Sequence, residues 1–160
     1  MTSVISRLWL AENLPIRDGL YRAAGTARDA WADPTAPGGL ALGEPFGLTE
    51  FLVPDPEEVT TITVALEREL SDGSGHLVCG EGSYGSEGFF GRLDRNRQLL
   101  WVVYLEDENP FVDAHVDGTR ATFTSSSGVT AVRLRPDTGG AARTRRPGPR
   151  RGHCGRARAG

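Results

Sequence analysis

"HLVCGEGSYGSEGFFGRLD" occupies residues 76–94, and the fold of the chain turns on how it is read. Its centre, "GEGSYG" at 80–85, matches G-x-G-x-x-G and directly follows a strand-like apolar tetrapeptide. A dinucleotide-binding loop of this pattern needs a helix after it, because the helix N-terminus holds the pyrophosphate. The next residues are instead "SEGFFGRLD", with two further glycines and a strand pattern. Glu81 and Glu87 would also face the anionic ligand. The acidic residue expected about 20 positions on falls in Leu100–Glu106, inside an extended run. A kinase-type glycine loop is a hairpin and resembles this stretch locally. That reading fails too, because the chain has no H-R-D, no D-F-G and no lysine. The P-loop fails for want of G-K-[ST]. The stretch therefore reads as a glycine-built turn between two strands. Gly80, Gly82, Gly85 and Gly88 are expected to supply positive-φ positions, and Glu81, Ser83, Tyr84, Ser86 and Glu87 to be displayed outward.

Working outward, the period of the flanking sequence is that of strands. "GFFGRLD", the turn "RNRQ" and "LLWVVYLE" make a hairpin whose nearly continuous apolar second strand belongs in the middle of a sheet. "FVDAHVDGTRATFTS" carries Asp117-Gly118, a two-residue hairpin signal, and "GVTAVRLR" closes the series. Upstream, "VTTITVALEREL" spaces Ile62, Val64, Leu66 and Leu70 evenly behind a β-branched run, which favours strand. The preceding "PDPEE" is a good helix start, so a helix from Pro56 to Leu70 competes with that reading.

The N-terminal third reads as helical. "SVISRLWLAENL" places Ile5, Leu8 and Trp9 at helical spacing. "RDGLYRAAGTARDAWAD" sets Leu20, Ala24, Ala27 and Trp31 on one face with Asp18 as cap, although "DGLYRA" also suits a turn and strand. Residues 33–47, with three prolines and four glycines, read as loop. The expected fold is thus α+β: an antiparallel meander of about five to seven strands, with N-terminal helical segments packed on one face.

Length and charge bound the function. At 160 residues the chain suits one domain with a real core. Its 18 basic residues are all arginine, which points to GC-rich coding and excludes Schiff-base and P-loop lysine chemistry. Residues 1–138 hold 11 arginines against all 21 carboxylates, a balance of −10, and form the expected single acidic domain. Residues 139–160 hold 7 arginines and no acid. That Arg/Gly-rich tail is expected to be disordered, and its composition is what a shifted reading frame of GC-rich DNA yields. If native, it would reach nucleic acid by counterion release. The longest apolar run, "LLWVVYL", has seven residues, far short of the ~20 that span a bilayer. No signal peptide is evident, so a cytoplasmic location is expected.

Candidate chemistry is sparse. Cys79, His115 and Asp113 can be written as a nucleophilic set, and Glu106, Asp107 and Glu108 as an acid cluster, which leaves a small hydrolase or ligand-binding enzyme as the alternative function. His76 and Cys79 form an H-x-x-C half-site, but on a strand they point to opposite faces. No catalytic residue, metal or cofactor is expected. A tyrosine flanked by glutamates, beside three acids that end the most apolar strand, suits a protein interface instead. The stretch 75–111, a glycine-rich turn followed by an aromatic strand ending in acids, is similar to small actinobacterial proteins, in particular to immunity proteins of polymorphic toxin systems. That resemblance implies a cytoplasmic, non-enzymatic α+β domain that masks a toxin. The expected function is a non-catalytic acidic module binding a basic protein partner through Glu81, Tyr84, Glu87, Glu106, Asp107 and Glu108.

Overall fold

A computed structural model describes residues 2–137; the tail 139–160, with Cys154, lies outside the described residues. The N-terminal helix is present as α1 (Val4–Leu10), capped by Ser3, whose Oγ accepts the Ser6 amide at 3.3 Å. The second expected helix is instead a hairpin of strands. After β1 (Asn13–Pro15), the run "RDGLYRAAGTARDAWAD" supplies β2 (Gly19–Arg22) and β3 (Ala27–Ala32). The turn between them forms because Gly25 takes φ +106° and Arg22 N–H donates to Thr26 O at 2.9 Å. Ala24 and Trp31, placed on the buried helical face by spacing, are exposed in the hairpin. The expected loop 33–47 also yields a strand, β4 (Leu40–Phe46), after a short turn at Pro37–Gly39. Pro45 is tolerated there because β4 lies at the sheet edge.

From residue 59 the antiparallel expectation holds. Next to a short helix α2 (Leu48–Leu52) come β5 (Val59–Glu69), β6 (Gly75–Gly82), β7 (Gly88–Asp94) and β8 (Leu99–Leu105). A second sheet holds β9 (Phe111–Asp117), β10 (Arg120–Ser125) and β11 (Ala131–Leu134). Asp117 pairs with Arg120, so the tight turn is Gly118-Thr119, one residue beyond the Asp-Gly position read from sequence. Among the described residues eleven strands replace the expected five to seven: eight in the order β1-β5-β6-β7-β8-β2-β3-β4 and three in the order β11-β10-β9. β8 is central, as its apolar run demands.

The larger sheet is covered on both faces. Cys79, Phe90, Trp101 and Val103 pack against Phe111, Ala114 and Phe123 of the small sheet. Val78, Phe89, Val102 and Tyr104 line the other face with Ile5 and Leu48, and α1 and α2 pack there. β5 serves both faces through a bulge between Val64 and Leu66. Ile62 joins the helix side, whereas Leu66 and Leu70 join the sandwich side, so four evenly spaced apolar residues do not share one face. Gly80 makes the bulge possible, since a Cβ there would collide with Thr63 O and crowd Ala65 N.

The sheet is also curled. Only residues 16–18 separate β1 from β2, yet four strands lie between them in the sheet order. A flat sheet would put them about 24 Å apart, at ~4.8 Å per strand. Three connecting residues reach roughly 15 Å at most. Residues 13–22 therefore close the curl, pairing β5 with their first half and β8 with their second.

Candidate functional site

The turn after β6 and the loop after β8 meet at one end of the sheet. Gly88 pairs with Leu105, and beyond them Asn109 N–H donates to Ser86 O at 2.9 Å. This bond ties the Ser83–Ser86 turn to the Glu106–Glu108 acids. Tyr84 stands at the tip with 72 % of its surface exposed. Of the four glycines in this stretch only Gly85 takes a positive φ, +82°; Gly80, Gly82 and Gly88 serve close approaches instead.

Glu87 is not displayed. It is 1 % exposed, and its carboxylate accepts from the Tyr104 hydroxyl at 2.6 Å and from the Thr60 hydroxyl at 2.9 Å. A Cβ on residue 82 would occupy the place of that carboxylate, so Gly82 admits Glu87 beneath the turn. Thr60 Oγ1 also lies 2.9 Å from Ser83 Oγ and accepts the Ser83 amide at 3.1 Å. Burial, followed by the Glu87 contact and charge, pushes the Tyr104 phenol above its ordinary range, so it stays a hydroxyl donor. Glu87 thus belongs to the support of the turn and not to its face. The glycines that hide it in sequence are the reason it reads as a surface residue.

The acids form a like-charged edge. Glu106 and Asp107 are exposed, Glu81 and Glu108 half-buried. Glu108 Oε2 accepts from the Thr130 hydroxyl at 2.6 Å. By sequence Asp18 is only a helix cap, yet it joins the edge: its Oδ1 accepts the Glu106 amide at 2.7 Å. The link spans 88 positions of sequence, so no local pattern announces it. Burial raises the Asp18 carboxyl against the pull of that hydrogen bond, and Asp107 and Glu108 raise it further. Glu106 is raised by burial and then by Asp107, Asp18, Glu87 and Glu58. No arginine forms an ion pair with Glu106, Asp107 or Glu108 among the described residues.

The alternative nucleophilic set does not assemble. Cys79 is fully buried among the sandwich residues, and burial pushes its thiol up to about 11. Ala114 packs in that same layer, so its strand neighbours Asp113 and His115 face outward, where both are exposed. His76 lies on the face of β6 opposite Cys79, 3.7 Å from Glu67. Grooves of about 430, 280 and 220 Å³ flank the helices, and none is lined by Cys79, His115 or the 106–108 acids. Among the described residues no group of three His, Cys, Asp or Glu could hold a metal ion, and no helix is long and apolar enough to cross a membrane.

No protein-family model, curated protein or solved structure matches the chain.

Proposed function

We propose that the protein is a non-catalytic, cytoplasmic acidic module that binds and neutralises a basic protein partner, in the manner of an immunity protein. The observation that supports this reading is the Asn109–Ser86 hydrogen bond, which joins the turn bearing Tyr84 to the loop bearing Glu106 and Asp107. An exposed aromatic ring is the usual anchor of an interface, and a like-charged rim speeds association with an opposite charge. Asp18 and the acids at 106–108 repel one another in the free protein, and a cationic partner relieves that repulsion on docking.

The test is calorimetric titration of the full chain against the product of the adjacent gene, at low and high salt. Binding should weaken steeply with salt, and Tyr84→Ala should weaken it by at least about 30-fold. Binding that is indifferent to both salt and Tyr84 would overturn the reading.

A further inference from the structure

At the opposite end of the sheet, Arg92 of β7 and Trp101 of β8 lie directly across from each other, and both are buried. They reach the same short segment, the three residues just past β11. The Trp101 indole N–H donates to Pro136 O at 2.9 Å, and Arg92 Nη1 donates to Asp137 Oδ1 at 2.8 Å. Arg92 Nη2 donates to Ser74 Oγ at 3.0 Å, while its buried Nε has no partner among the described residues.

The exposures of this ion pair are lopsided: the Arg92 side chain is 7 % exposed and that of Asp137 is 85 %. A guanidinium withdrawn from water needs an anion against it. Asp137 is the sole carboxylate within ion-pair distance of Arg92 among the described residues. Asp72, on the nearby β5–β6 turn, instead accepts the Ser74 amide at 2.9 Å. Asp72 also feels the Arg92 charge, but the carboxylate in contact arrives from an exposed residue at the end of the described chain, not from within the sandwich.

We propose that Arg92, Ser74 and Trp101 form a carboxylate-receiving site for a Pro-Asp segment, which the protein's own Pro136-Asp137 fills as a strap. The indole reads the backbone carbonyl, and the guanidinium and serine hydroxyl read the side-chain anion. With the strap down, the Arg92 charge is balanced. With it lifted, a buried cation faces water beside Trp101. This site is independent of the acidic edge.

The experiment uses the full chain with Asp137→Ala, followed by thermal unfolding. Loss of the partner to a buried charge should lower the Tm by roughly 5 °C. Excess acetyl-Pro-Asp-amide should restore most of that loss, whereas acetyl-Pro-Asn-amide should not. Arg92→Met in the Asp137→Ala background should abolish the rescue. A wild-type Tm for Asp137→Ala, or equal responses to the two peptides, would overturn the proposal.

Discussion

Tyr104 donates its hydroxyl to Glu87 Oε1 at 2.6 Å, with both residues sealed beneath the turn that carries Tyr84. A carboxyl group is thereby buried with hydroxyl partners, and among the described residues no cation pairs with it. Tyr104→Phe and Thr60→Val each strip one hydroxyl partner from a buried carboxyl group and should cost about 1–3 kcal/mol. Glu87→Gln keeps the shape and should cost less than Glu87→Ala. Urea unfolding of the four variants checks the order.

Gly82 and Glu87 compete for one volume, so their substitutions should not add. Gly82→Ala puts a methyl group where the carboxylate lies and should destabilise by about 1–3 kcal/mol. In a Glu87→Ala background the carboxyl group is gone and the residue-87 β-carbon, at 3.0 Å, is what still crowds the methyl group, so most of that cost should disappear. A double-mutant cycle from urea unfolding measures the coupling.

The Cys79 thiol, fully buried and raised to about 11, stays protonated at pH 8. In a Cys154→Ser background it should resist a disulfide reagent in buffer and react at once in urea. The measurement is the rate of thionitrobenzoate release under the two conditions.

Acid should act on the edge with a definite sign. Asp18 and Glu106 ionise above their ordinary values of 3.8 and 4.5 in the folded chain. Between the ordinary and the raised values the folded state binds more protons than the unfolded one, so stability falls as pH rises through that window. Glu106→Gln removes its share of the cost. It should stabilise by about 0.3 kcal/mol at pH 7, a small value because the group is exposed, and the gain should vanish below about pH 4. Urea unfolding at the two pH values reads the difference.

Much of the C-terminal two thirds is legible from local pattern alone. "LLWVVYL" announces a strand covered on both faces, the turns at 71–74 and 95–98 sit where their residue types place them, and the turn at 118–119 falls one residue past its Asp-Gly signal. The N-terminal third misleads because its apolar spacing fits two periods. Leu20 and Ala27 suit one helical face, yet the hairpin, whose turn depends on Gly25, sends Leu20 to the sandwich side of the sheet and Ala27 to the helix side. The bulge near Ala65 is equally silent, since its cause, the bare backbone of Gly80, lies on the neighbouring strand. At the edge, the pairing of the turn with the 106–108 acids follows from chain order. The burial of Glu87 and the arrival of Asp18 are set by tertiary contacts that no short stretch encodes.

The curl closed by residues 13–22 has a consequence for how the protein comes into being. β1 needs β5 and β2 needs β8, so the segment synthesised first waits for partners that end with residue 105. The β5–β8 meander can assemble from neighbouring hairpins as it emerges, whereas closure rests on contacts distant in sequence and therefore slow. Until then the chain leaving the ribosome shows the apolar face of an unfinished sheet. Residues 13–22 are thus made before β5–β8 and seated after them.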